Sequence, residues 1–153
     1  MPSGIVERLR RAATVHVDSM ALIYFVEDAK PWASVLAEVF EALDTGVLRG
    51  SSASVTLTEV LVRPLQKGDH RLAAAYRDIL QGSLPLVPLD ALVAERAARI
   101  RVEHNLKTVD AVQLATAVLA GAGAFLTNDK DLRRFDGIDV VILDDFVARP
   151  SGA

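Results

Sequence analysis

The feature that most constrains the fold is an alternation of short apolar runs with longer segments of helical periodicity. The short runs predict strands and lie at 14–17, 51–55, 84–88, 124–127 and 139–143. The longer segments predict helices at 19–27, 31–43, 56–64, 69–80, 89–104 and 109–119, with a short one at 130–135. Because strands alternate with helices or helix pairs, we expect an α/β fold. The predicted architecture is a three-layer α/β/α sandwich with a central, mainly parallel sheet.

Composition bounds the class of protein. The chain has 153 residues, of which 51% are hydrophobic, so one domain with a substantial core is expected. We divide it into an N-terminal extension, 1–13, with a basic cluster, and a single domain, 14–150. Cysteine is absent, which excludes disulfides and thiolate metal sites. No apolar run approaches the ~18 residues of a membrane span, and the first residues lack a signal-peptide core, so we expect a cytoplasmic protein.

The formal net charge of −3 argues against a nucleic-acid binder that relies on bulk electrostatics. A nucleic acid would have to be held by a local basic rim or through a metal ion. We therefore expect any functional site to be a local cluster of side chains.

Acidic residues stand where predicted strands end or predicted helices begin. They are Asp18, Glu59, Asp110 and Asp129. In open α/β sheets ligands bind outside the carboxyl ends of the strands, so the fold would bring these acids to one edge. Such a cluster is costly unless a hard cation fills it. The pattern is therefore typical of a metal-dependent phosphoryl-transfer site.

Each acid also has a purely structural explanation. Asp18 could cap a helix. Thr56-Leu57-Thr58-Glu59 matches a capping box. Asp110 lies in the first turn after Thr108, where the helix dipole favours an acid. Asp129 could belong to a turn. Helix starts attract acids in many proteins, so the pattern alone leaves both explanations open.

Other chemistries find less support. There is no glycine-rich phosphate loop and no G-x-S-x-G nucleophile elbow. The three histidines lack metal-ligand spacing: His16 is interpreted as a strand residue, and His70 and His104 as residues of helix surfaces. Trp32 is assigned to packing. A phosphatase of the haloacid-dehalogenase type is disfavoured, because Met20 stands where that chemistry needs a second Asp, two residues after Asp18.

Local sequences around the four acids resemble the motifs of PIN-domain ribonucleases, in the family's order. They are His16-Val17-Asp18-Ser19 followed by Leu22-Ile23-Tyr24, then Thr58-Glu59-Val60-Leu61, Thr108 to Ala117, and Leu126-Thr127-Asn128-Asp129-Lys130-Asp131-Leu132. The resemblance spans residues 14–147, with Thr127 in the place of the family's hydroxyl residue. The length resembles the VapC toxins of bacterial toxin–antitoxin pairs.

The chain departs from the family's pattern in three places. The first strand usually begins within a few residues of the start, whereas here it begins near Thr14. Pro64 follows Glu59 closely and is expected to kink or end that helix. Asp131 competes with Asp129 as the fourth acid, and we rank Asp129 first because it directly follows the strand.

The resemblance implies a Mg²⁺ or Mn²⁺ site with one or two ions. Asp18 and Asp110 would be direct ligands, and Asp129 would complete a second site or act through water. Glu59 would orient a metal-bound water. Thr127 would hydrogen-bond a ligand carboxylate. Basic residues that flank the motifs could hold RNA phosphates, or could serve only solubility: Arg63, Lys67, Lys107, Lys130, Arg133 and Arg134.

The function implied is a metal-dependent endoribonuclease, acting as a toxin neutralised by a small antitoxin protein. The resemblance also implies a homodimer. Two alternatives stay open: a housekeeping PIN-domain ribonuclease without an antitoxin, and a catalytically silent PIN-like module that binds protein or RNA. The presence of all four acids argues against the silent module.

Overall fold

The computed structural model describes residues 1–148, so the predicted domain end at residue 150 lies outside the described residues. The helices are α1 Ile5–Arg10, α2 Ser19–Val26, α3 Trp32–Asp44, α4 Ser54–Lys67, α5 His70–Gln81, α6 Ala91–His104 and α7 Thr108–Leu119. The strands are β1 Thr14–Val17, β2 Arg49–Ala53, β3 Leu86–Val87, β4 Ala124–Thr127 and β5 Asp139–Ile142. Two 3-10 helices follow β4 and β5, at Lys130–Arg134 and Leu143–Phe146.

The five strands form one parallel sheet in the order β3-β2-β1-β4-β5, which confirms the predicted α/β fold. β3, flanked by prolines, is an edge strand, the position in a sheet that tolerates proline. β1 lies at the centre, and its last residue, Val17, is in register with Leu126 of β4. The chain therefore leaves both strands at the same edge of the sheet, at neighbouring positions.

Helices cover both faces of the sheet, as the near-continuous apolar character of the strands requires. Ala124 and Leu126 of β4 pack into a core cluster with α1 to α5, whereas Phe125 between them packs into a second cluster with α6 and α7. Successive residues of a strand point to opposite faces, so these clusters are the two sides of the sandwich. No helix within residues 1–148 is long and apolar enough to cross a membrane.

Segment 1–13, predicted as an extension, carries α1, which packs against the sheet. Ile5 and Leu9 are fully buried in the cluster that also contains Val15 of β1. Arg8 makes a paired hydrogen bond with the carboxylate of Asp139 in β5, with Nη2 and Oδ1 2.7 Å apart. This segment therefore supplies side chains to the core and contacts two strands, β1 and β5.

Helix α4 departs from the sequence-based prediction at both ends. It begins at Ser54, after an N-cap residue, Ala53, that makes no side-chain cap, so the prediction that Thr56 is an N-cap was wrong. It also continues through Pro64 to Lys67. Thr56, Val60 and Pro64 form its buried face at a spacing of four residues, and this packing offsets the hydrogen bond that a proline cannot make.

Two further element boundaries differ from the prediction. Helix α7, predicted at 109–119, begins one residue earlier, at Thr108, with Lys107 as its N-cap residue. Gly50, which precedes the predicted strand at 51–55, lies inside β2. A Cβ at Gly50 would come within 2.6 Å of the Leu84 side chain and 2.9 Å of the Leu43 side chain, so glycine is needed there for close packing.

Candidate functional site

Asp18 stands directly after β1 and is 8% exposed. As predicted by the structural explanation, it caps α2: its Oδ1 accepts a hydrogen bond from the Met20 amide at 3.2 Å. Its other oxygen, Oδ2, accepts from the Thr127 hydroxyl at 2.5 Å. The helix cap uses one oxygen of the carboxylate, and Thr127 bonds to the other.

Thr127 also organises the loop after β4. Its Oγ1 accepts a hydrogen bond from the backbone N–H of Asp129 at 3.1 Å. Asp129 is half-buried, and its Oδ1 accepts from the Asp131 amide at 3.0 Å, which makes Asp129 the cap of the following 3-10 helix. The Asp131 side chain is exposed. One hydroxyl thus links the acids that follow two adjacent strands.

Glu59 reaches the site from α4. It lies more than a turn beyond the start of that helix, so the capping-box explanation was wrong. Its Oε1 accepts hydrogen bonds from the Ser19 hydroxyl at 2.6 Å and from the Gln113 side-chain amide at 3.2 Å. The side chain is otherwise exposed, and its carboxylate is held by residues of two other helices.

Electrostatics connect the four acids. Burial raises the pKa of Asp18 to about 6, the hydrogen bonds from Thr127 and Met20 oppose this rise, and the charges of Glu59 and Asp110 add to it. Asp110 is half-buried in the first turn of α7. Its pKa is raised by burial, by the charges of Asp129 and Glu59 and, more weakly, by Asp131, while Lys107 lowers it. The acids therefore lie near enough to repel one another.

The donor set suits a hard cation, because it consists of carboxylate oxygens without sulfur or imidazole. In residues 1–148, however, no three His, Asp or Glu side chains converge closely enough to form a complete metal site. Burial is the main cause of the raised pKa values of Asp18 and Asp110, and mutual repulsion adds to it. A bound cation would offset both effects by stabilising the charged carboxylates.

Beneath the acids lies a buried polar network that the sequence analysis missed. Gln113 joins His16 to the side chains of Ser19, Thr56 and Glu59. His16 was correctly placed in a strand, where it is fully buried and stacks on Phe125. Burial lowers its pKa to about 4, so the ring is neutral at pH 7. One signal was present: Gln113 interrupts an apolar helix three residues after Asp110, on the same face.

A second polar cluster holds the loop that carries Asp129. Asn128 and Asp144 bond reciprocally: the Asp144 amide donates to Asn128 Oδ1 at 2.9 Å, and Asn128 Nδ2 donates to Asp144 Oδ1 at 3.2 Å. Trp32, predicted to be a packing residue, stacks on Tyr24 and also donates its indole N–H to Asp144 at 2.8 Å. The hydrogen bond from Trp32 is the main cause of a lowered pKa at Asp144.

The predicted basic rim divides into two groups. Lys130, Arg133 and Arg134 pair with Asp144, Asp145 and Asp131, at 3.5, 2.6 and 3.8 Å. The other three are exposed and flank the acids on α4 and before α7: Arg63, Lys67 and Lys107.

Comparison with known proteins gives one family match. The model of the family described as "PIN domain" matches residues 15–138. No curated protein matches the chain in sequence.

Several solved structures are similar to the chain. A chain of the DNA-bound VapBC from Salmonella typhimurium aligns with a TM-score of 0.70 and 18% identity, covering 85% of this chain and 98% of that one. A chain of VapBC2 from Rickettsia felis, bound to a DNA fragment from its promoter, gives a TM-score of 0.68 and 13% identity, over 84% and 98%. A toxin–antitoxin complex from Klebsiella pneumoniae gives 0.64 and 25%, over 84% and 97%.

Proposed function

The chain belongs to the PIN domain family, and on that premise we propose that it is a Mg²⁺-dependent endoribonuclease, the toxin of a toxin–antitoxin pair. The observation that carries the proposal is the buried carboxylate of Asp18. Thr127 holds it at the end of the central strand, and the charges of Glu59 and Asp110 act on it. A structural helix cap needs neither the burial nor the neighbouring negative charges.

In the proposed reaction Asp18 and Asp110 would hold the ion directly, and Asp129 would hold a second ion or act through a water. When bound, Mg²⁺ polarises the scissile phosphate and makes a water nucleophilic at neutral pH. Glu59 would orient a water through Oε2, because Ser19 and Gln113 both bond to its Oε1. Mn²⁺ would serve the same role, because it shares the preference for oxygen ligands.

RNA would be held by phosphate contacts to the exposed cations on either side of the acids. Arg63, Lys67 and Lys107 are the stronger candidates, because they are exposed and are not in salt bridges with acids of the described residues. Lys130, Arg133 and Arg134 would first have to exchange an acidic partner for a phosphate.

The toxin assignment rests on the likeness to VapBC structures and to the Klebsiella pneumoniae toxin–antitoxin complex. It includes a small antitoxin as partner, a homodimer and a place in the cytoplasm. A short neighbouring reading frame that encodes a DNA-binding protein would support it over a housekeeping ribonuclease. Light scattering of the purified chain would measure the oligomeric state.

The test of catalysis compares Asp18→Asn and Asp110→Asn with the wild type on a mixed RNA substrate in Mg²⁺ and in EDTA. We expect cleavage by the wild type only in Mg²⁺ and none by either variant. Asp78→Asn, which changes an exposed acid on α5, is the matched control and should cleave like the wild type. Circular dichroism checks that each variant is folded.

Wild-type cleavage in EDTA would contradict the metal dependence. A variant that cleaves at the wild-type rate would remove that residue from the site.

A further inference from the structure

Gln113 is the central residue of the buried network. It lies on α7, is 2% exposed, and stands three residues after Asp110. Its amide nitrogen contacts Thr56 Oγ1 at 2.8 Å, Ser19 Oγ at 3.0 Å and Glu59 Oε1 at 3.2 Å. The amide therefore joins three helices directly under the acidic cluster.

The opposite end of the amide is held by His16. The ring Nε2 lies 2.8 Å from Gln113 Oε1, and the ring Nδ1 lies 3.4 Å from the Ser51 hydroxyl. In a neutral ring one nitrogen donates and the other accepts. With Ser51 donating to Nδ1, Nε2–H donates to Oε1, and the amide NH₂ must then face Ser19 and Glu59. His16 thus sets which way the Gln113 amide points.

We propose that Gln113 is a positioning residue for Glu59: oriented by His16, it fixes the Glu59 carboxylate in the site together with the hydroxyl of Ser19. The inference rests on the proposed function, because it assigns Glu59 a role at the metal site. Gln113 itself lies below the surface and touches neither substrate nor ion in this scheme.

Two physical arguments support the proposal. Glu59 is an exposed, flexible side chain, and a catalytic group must be held in one geometry by a supporting shell. Burying an amide in an otherwise apolar helix face is costly unless its hydrogen bonds are satisfied. Here every buried polar side-chain atom among the described residues has a partner, and the network ends on Glu59. An apolar residue would fill the same space without that cost, but it could not hold a carboxylate.

The test uses Gln113→Met, which keeps the length of the side chain and removes the amide. Thr116→Val is the matched control: Thr116 is buried on the same helix, and among residues 1–148 its hydroxyl bonds only within α7, to the Val112 carbonyl. The first measurement is the side-chain carboxyl ¹³C resonance of Glu59 in the metal-free protein. We expect Gln113→Met to shift it and Thr116→Val to leave it unchanged.

The second measurement is RNA cleavage in Mg²⁺, with a double-variant cycle. Gln113→Met should lower kcat by about 10-fold without changing KM for RNA, as expected for a residue that supports a metal-site group. In a Glu59→Gln background the same substitution should change kcat by less than about twofold, because its effect passes through Glu59. The affinity of Gln113→Met for Mn²⁺, measured by titration calorimetry, should also be lower than that of the wild type.

An unshifted Glu59 resonance in Gln113→Met would overturn the proposal, whatever the activity. So would equal losses of kcat with and without Glu59→Gln. If Gln113→Met does not fold, Gln113→Asn, which shortens the side chain by one methylene, takes its place with the same expected shift. If the wild type cleaves no RNA, the proposed function fails, and the ¹³C measurement still decides the positioning.

Discussion

Replacing Asp18 by Asn should stabilise the metal-free protein at neutral pH while it removes activity. Folding raises the pKa of Asp18 from 3.8 to about 6, so the folded state holds that proton more tightly than the unfolded chain. This contribution to stability is fully present below pH 3.8 and is lost as the pH rises through about 6. Because a shift of one pKa unit corresponds to about 1.4 kcal/mol, the loss of stability amounts to about 3 kcal/mol.

Asn carries no charge to bury, so Asp18→Asn escapes this loss. We expect the free energy of unfolding of the variant, relative to wild type, to rise by up to about 3 kcal/mol between pH 4 and 7. Poorer pairing of the Asn amide with the Thr127 hydroxyl lowers the stability of the variant equally at every pH, so it reduces the net stabilisation at pH 7 but leaves this rise unchanged. The assay is urea denaturation in EDTA at intervals across this range. Added Mg²⁺ should stabilise the wild type and not the variant.

The prediction concerns the difference in unfolding free energy between the variant and the wild type, rather than the pH dependence of either protein alone. His16 acts in the opposite direction: folding lowers its pKa from 6.5 to about 4, so its contribution is present above pH 6.5 and is lost as the pH falls to about 4. Both proteins contain His16, so its effect cancels in the difference. Asp78→Asn should give a flat difference. A difference for Asp18→Asn that is flat within about 0.5 kcal/mol, or that falls with pH, would refute the argument.

Three further outcomes are expected. Induced expression of the chain alone should arrest growth, and the double variant Asp18→Asn, Asp110→Asn at matched expression should not; equal growth would count against the toxin role. Glu59→Gln should leave the melting temperature of the metal-free protein nearly unchanged but weaken Mn²⁺ binding and RNA cleavage by about 10- to 100-fold. Normal values of both would exclude Glu59 from the site. Leu9→Ala should cost about 2–5 kcal/mol of stability by urea denaturation, because Leu9 is fully buried; a cost near zero would mean that α1 is not part of the core.

The fold was predictable because its signals are local. Strand and helix periodicities, read together, predict a parallel sheet, and strand ends in such a sheet share one edge. Asp18 and Asp129 could therefore be brought together from sequence alone. The start of α4 could not, because the threonine at 56 resembles a cap but is drawn into the interior by Gln113. Tertiary contacts therefore determined where α4 begins, which local propensity left open.

The support of the site was harder to predict than the acids. Gln113 bonds to Ser19, 94 residues away, and His16 lies 97 residues from Gln113. No short sequence motif predicts a hydrogen bond between residues so far apart in the chain. The only local signal is a polar residue, Gln113, on an apolar helix face. Its role can be interpreted only when α7 is packed against the strand that carries His16.

The bond between Thr127 and Asp18 spans 109 residues, and this has a consequence for synthesis of the chain. Asp18 directly follows β1, a central strand whose neighbour β4 is synthesised much later than β1. A product that ends after Asp110 but before β4 carries Asp18, Glu59 and Asp110 but lacks both Thr127 and Asp129. Synthesis that stops before the end of β4 therefore yields no fragment with a complete set of acids.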